Sequence, residues 1–133
     1  MTRFVDTSFW VALFFERDTN HPAARALWSS ERGALLSTNH VLGETWTFLR
    51  RRRGHRDAVR VLDGVTGSRR VTLVRVEQVA EDEAWEWLRR HGDREYSFVD
   101  ATSFTVMRRR RLREALAFDN DFTSAGFTEI RPS

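Results

Sequence analysis

The chain contains no cysteine, which excludes a disulfide framework, thiolate zinc sites and a cysteine nucleophile. It contains no lysine either: all 22 basic residues are arginine. That removes Schiff-base chemistry and any Walker-type phosphate loop. Long apolar runs are missing too. The longest, residues 9–15, falls far short of the roughly 20 residues that span a bilayer. Asp6 interrupts the N-terminal stretch and no small-residue cleavage site follows it, so a secretory signal is a poor reading. Internal repeats, low-complexity segments and Pro/Gly/Ser-rich linkers are also lacking. No membrane association and a cytoplasmic location are the expectations.

What is present suffices for a core. A chain of 133 residues reads as one domain, 1–133, that buries roughly two-thirds of its unfolded surface. Five Trp and ten Phe exclude a disordered tail. The formal charge of +3 is unevenly spread, with solid arginine blocks at residues 50–53 and 108–111. Arginine forks bind phosphate bidentately, which makes Arg50, Arg51, Arg108 and Arg109 candidate nucleic-acid contacts. The same blocks also suit solvated helix ends at the negative pole of the dipole.

Hydrophobic periodicity gives short strands at residues 2–5, 34–37, 71–76, 115–118 and 128–130. Between them fall helices at 8–15, from 20 onward, through 53, at 57–65 and at 78–91, and a further helix opened by Ser97 and Asp100 and running to the arginines. Gly33, Gly54, Gly67 and Gly92 each follow a candidate helix, as left-handed caps do. Strands separated by helices call for a mainly parallel sheet covered on both faces: a three-layer α/β/α sandwich.

Four carboxylates fall at one edge of such a sheet. Asp6 ends the first strand, Glu44 lies about one turn into the helix after the second, Asp100 opens a helix and Asp119 ends the fourth strand. Ligands bind at the C-terminal edge of open parallel sheets. A like-charged pair ~4 Å apart repels by about 4 kcal/mol at an effective dielectric near 20. Either some acids stay protonated or a divalent cation neutralises them, and oxygen ligands select Mg²⁺ or Mn²⁺. Such an ion makes a nucleophile of bound water and stabilises charge on a phosphoryl transition state. Thr7, Ser8 and Thr102, close to the acids, are candidates to orient ligands or water. His40 stands one turn before Glu44, where a capping or surface role outweighs metal ligation.

The segments Phe4-Val5-Asp6-Thr7-Ser8, the helix bearing Glu44, Ser97-Phe98-Val99-Asp100-Ala101, and Ala117-Phe118-Asp119-Asn120-Asp121-Phe122 with Gly126 resemble the motif series of PIN-domain ribonucleases. Among these they look most like VapC-type toxins of bacterial toxin–antitoxin pairs. The resemblance covers essentially the whole chain. It implies a Mg²⁺- or Mn²⁺-dependent endoribonuclease, usually a homodimer, inhibited by a small antitoxin. By position, Asp6, Glu44, Asp100 and Asp119 would form the acidic quartet, with Asp121 a fifth acid at a place that varies. The alternatives are a housekeeping PIN nuclease without an antitoxin and a non-catalytic domain that binds RNA or protein. An aspartyl-phosphate receiver fits poorly, because that family relies on a pocket lysine.

Overall fold

A computed structural model describes all residues, 1–133. Five strands form one sheet: β1 (Arg3–Val5), β2 (Leu35–Thr38), β3 (Val71–Val74), β4 (Glu114–Leu116) and β5 (Thr128–Glu129). Their spatial order is β3-β2-β1-β4-β5 and every pairing is parallel. Seven helices join them: α1 (Thr7–Phe14), α2 (His21–Ser30), α3 (Asn39–Arg53), α4 (His55–Thr66), α5 (Gln78–Arg90), α6 (Phe98–Arg109) and α7 (Asp121–Ser124). Right-handed crossovers place α1 to α4 on one face and α5 to α7 on the other; the helix pairs α1 with α2 and α3, α3 with α4, and α6 with α5 and α7 agree with that division, and α3 also meets α6 across it. The three-layer sandwich expected from the sequence is the one found. No helix is long and apolar enough to cross a membrane.

Between β1 and β4 the chain changes direction across the sheet: β1 leads to β2 on one side, β4 to β5 on the other. Such a switch point leaves a crevice beyond the C-terminal strand ends. The core beneath it is apolar and aromatic. Phe4, Val5, Phe9, Phe104, Leu116 and Phe122 are fully buried, and Phe104 meets Trp87, Tyr96, Phe122 and Phe127 within aromatic contact distance. Helix α6 is buried along its length from Asp100 to Met107, so it carries no polar stripe. Two of its hydroxyls are satisfied within the helix, Thr102 donating to the Val99 carbonyl and Thr105 to that of Ala101, whereas the buried Ser103 hydroxyl has no partner.

Three local expectations are corrected. β4 ends at Leu116 rather than 118, because the Phe118 N–H leaves the ladder for the Ser8 hydroxyl. The four-residue α7 is additional, too short to show a helical period. Of the four glycines expected as left-handed caps, only Gly54 has a positive φ, +93°, at the sharp corner between α3 and α4. Gly67 is right-handed helical, so α4 ends without a left-handed residue.

Candidate active site

The acids reach the crevice through ordinary local devices. Asp6 follows β1 and caps α1: its Oδ2 accepts the Ser8 N–H at 3.1 Å and the Ser8 hydroxyl at 2.8 Å. The Ser8 Oγ also accepts the Phe118 N–H at 3.0 Å. One hydroxyl therefore ties the end of β1 to the chain leaving β4, and holds Asp6 in the seam. Asp100 is fixed by a capping box, its Oδ2 accepting the Ser97 N–H at 3.0 Å while the Ser97 hydroxyl accepts the Asp100 N–H at 2.9 Å. Asp119 follows β4, and its Oδ1 accepts the Asp121 N–H at 3.2 Å. Glu44, half-buried on α3, completes the group.

The four fall into two neighbouring groups that share Asp119. Asp6, Glu44 and Asp119 line one cleft of about 440 Å³ with Thr7 and Ser8. Asp100, Asp119 and Asp121 each offer a carboxylate oxygen within 4.8 Å of the others. Asp121 is drawn aside by Arg94, whose Nε lies 2.7 Å from its Oδ1 and whose Nη2 donates to the Asp119 carbonyl at 3.2 Å.

Crowding acids in a partly dry site resists their ionisation. Burial, followed by the charge of Asp119, pushes Asp6 up to about 8, against the opposing hydrogen bonds from Ser8. Burial raises Asp100 to about 6, with Asp121 and Glu44 adding to it and the Ser97 hydrogen bonds opposing. Asp119 also rises to about 6, from burial and then the charge of Asp121. One oxygen of Asp6, Oδ1, is buried with no hydrogen-bond partner. A buried, unpaired acceptor among carboxylates has two remedies, a proton or a cation. An all-oxygen, multiply anionic donor set suits a hard divalent ion, so the residues present fit one.

The other residues singled out from the sequence divide. Thr7 lines the cleft and its hydroxyl donates to the Val41 carbonyl at 3.4 Å. Thr102 is fully buried, its hydroxyl given to Val99 at 2.9 Å, and it does not line the cleft. His40 pairs with Glu81 of α5 at 3.0 Å instead of turning to Glu44. Arg50 and Arg51 are exposed at the end of α3. Arg108 lies over Trp87 and Arg109 forks onto Glu83 at 2.6 and 3.3 Å. Those two stand eight and nine residues beyond Asp100 on α6, about 12 Å along its axis, and are not brought to the cleft.

Sequence reading missed Arg94, Asp18, Asn20, Phe48 and Phe118, all at or beside the site. The Asp18 side chain accepting the Asn20 N–H at 2.8 Å has a visible signal, an Asx turn before His21-Pro22. Arg94 has none, since its partner lies 27 residues onward.

Comparison with known proteins agrees with this fold. Residues 3–128 match the family model described as PIN domain. A protein named 23S rRNA-specific endonuclease VapC20, from Mycobacterium tuberculosis (strain CDC 1551 / Oshkosh), is 55% identical over 132 residues, spanning 97% of this chain and 98% of the relative. The same protein from strain ATCC 25618 / H37Rv matches equally. A crystal structure of M. tuberculosis VapC20, described as a sarcin-ricin loop cleaving toxin, superposes with a TM-score of 0.94 at 52% identity, over 99% of this chain and all of that one. A toxin–antitoxin complex from Klebsiella pneumoniae shares the fold, with a TM-score of 0.68 at 11% identity over 98% of each chain.

Proposed function

The chain belongs to the PIN-domain family, and from that premise we propose that it is a metal-dependent endoribonuclease, the toxin of a bacterial toxin–antitoxin pair, acting on ribosomal RNA. The observation that carries the reading is the convergence of Asp6, Glu44 and Asp119 on one cleft, with a carboxylate oxygen of Asp100 within 4.8 Å of one of Asp119. The 55% identity to a 23S rRNA-specific endonuclease across nearly the full length of both chains supports the substrate class. We take residues 1–133 as a single nuclease domain.

Asp6, Glu44, Asp100 and Asp119 would hold Mg²⁺ or Mn²⁺, with Asp121 a reserve acid kept on Arg94; when bound, the ion supplies an acidified water and charge stabilisation at the phosphate. The chain's own contribution is preorganisation. Ser8 fixes one oxygen of Asp6 and leaves Oδ1 without a protein donor. Ser97 does the same for Asp100, engaging Oδ2 alone. Arg94 holds the Asp119 carbonyl and the Asp121 carboxylate at the far rim, which leaves the Asp119 side chain to face the cleft. Thr7 stands beside Asp6 with its hydroxyl turned to α3, a support for the wall that carries Glu44. No histidine, cysteine or lysine lines the cleft as a protein nucleophile or base, and hydrolysis by water is the chemistry this donor set serves.

An antitoxin protein, a second copy of the chain in a homodimer and a cytoplasmic setting complete the proposal. The purified chain should cut 23S rRNA or ribosomes when Mg²⁺ or Mn²⁺ is supplied. Asp100→Asn should lose at least about 100-fold of that rate while keeping its circular dichroism spectrum. Wild-type-like cleavage by the folded Asp100→Asn protein would remove the assignment. Expression of the chain alone should arrest growth, and the housekeeping alternative predicts that it should not.

A further inference from the structure

No arginine lines the cleft itself, and Arg108 and Arg109 are engaged on α5; two arginines outside the candidates from the sequence lie over its aromatic walls. Phe48 and Phe118 are aromatic walls of the same cleft, carried by α3 and by the segment after β4. Each bears a guanidinium: Arg52 lies 5.0 Å from the centroid of Phe48, and Arg131 lies 5.0 Å from that of Phe118. We propose that Arg52 and Arg131, each mounted on an aromatic wall of the acidic cleft, grip the RNA phosphates on either side of the one that is cut.

The two are built differently. Arg131 is braced: its Nη1 donates to the Ala117 carbonyl at 2.7 Å and to that of Ile130 at 3.1 Å, and its Nη2 to Glu129 at 3.0 Å, while its side chain remains 45% exposed. The Phe118 ring stacks on buried Phe9, so this guanidinium rests on a wall anchored in the core. Arg52 forms no ion pair, unlike its neighbour Arg53, which is bonded to Asp57 at 3.0 Å. A phosphate approaching Arg52 has no carboxylate to displace. Arginine held over an aromatic ring loses little side-chain freedom when it binds phosphate; Arg52 offers all its edge donors, and Arg131 its Nε–H and the remaining Nη2 hydrogen. A cluster of acids repels RNA, so cations placed at its margins, not within it, both attract the strand and leave the metal ligands free.

The inference takes its ligand from the nuclease reading and is tested apart from it. In an Asp100→Asn background, where bound RNA stays whole, the affinity for a short fluorescein-labelled single-stranded RNA is measured by anisotropy across a salt series. Loss of one phosphate contact lowers the slope of log K against log salt by about 0.7 for a single strand. Arg52→Gln and Arg131→Gln should each lose about that much, with several-fold weaker binding at low salt, and the double variant about twice it. Arg131→Lys separates charge from the brace: it gives up the fork but keeps a cation, and should retain most of the slope. Arg108→Gln and Arg109→Gln should bind as the background does. Unchanged slopes in both Arg52→Gln and Arg131→Gln, or equal losses in the Arg108 and Arg109 variants, would overturn the assignment. Cleavage by the wild-type chain is scored in parallel. Cutting with flat slopes keeps the nuclease and removes the arginines; altered slopes without cutting do the reverse.

Discussion

Asp6 concentrates the physics of the site in one side chain. Its carboxyl is pushed up to about 8, principally by burial, whereas an unfolded chain ionises it near 4. Between those values the folded state holds a proton that the unfolded state has released. Stability of the metal-free chain therefore falls as pH rises through that window, by at most about 1.4 kcal/mol per pH unit for one group. Asp100 and Asp119, raised to about 6, act in the same direction over the lower part of it. Glu31, held below its usual range despite burial by Arg3 and the Gly33 N–H, works oppositely, but only in more acidic solution. Urea unfolding in the absence of divalent ions should therefore show a lower midpoint at pH ~8 than at pH ~5.5. Asp6→Asn should flatten that difference and gain roughly 1–3 kcal/mol at pH ~8, while abolishing cleavage. Ser8→Ala should cost about 1–3 kcal/mol, because it removes a donor to Asp6 and the acceptor of the Phe118 N–H together.

Elements show how much of this was legible in the chain. Asp6 and Asp100 were readable because their placement is local: one is a helix cap after an apolar strand, the other half of a capping box. Removing the other half, in Ser97→Ala, should cost about 1 kcal/mol and also loosen Asp100, so cleavage should fall more than stability does; urea titration and an RNA cleavage assay on the same preparation compare the two. Glu44 was legible through its position in a motif series, since nothing in the period of α3 marks it. What Arg108 and Arg109 face was not legible, for a physical reason. Their neighbours are tertiary: Glu83 that captures Arg109 is 26 residues away, and Trp87 beneath Arg108 lies on another helix. A block of like charges at a helix end says that the end is polar, not what faces it. Arg94 and α7 escaped for the same cause, one answering a distant carboxylate and the other too brief for periodicity.

At the scale of the molecule, the sheet order makes the site. Only because β1 and β4 are neighbours whose connections diverge do Asp6 and Asp119, 113 positions apart in the numbering, share a crevice. The core beneath is a single apolar cluster that includes Phe9, Phe104 and Phe122. Phe104→Ala, at the meeting point of four other aromatics, should cost about 3–5 kcal/mol in urea unfolding and lower cleavage only in proportion to the fraction unfolded. The acids set the opposite balance, since the fold gathers charges that destabilise it, a cost that a bound cation would relieve. A ligand that binds the native state alone stabilises it by RT ln(1 + [L]/Kd). The most direct measurement is thus the thermal unfolding midpoint at pH ~8 as Mn²⁺ is added. The wild-type chain should gain stability steadily with concentration, and Asp6→Asn and Asp100→Asn should gain little. A wild-type midpoint indifferent to Mn²⁺, or variants that rise as far as the wild type, would contradict a shared metal site.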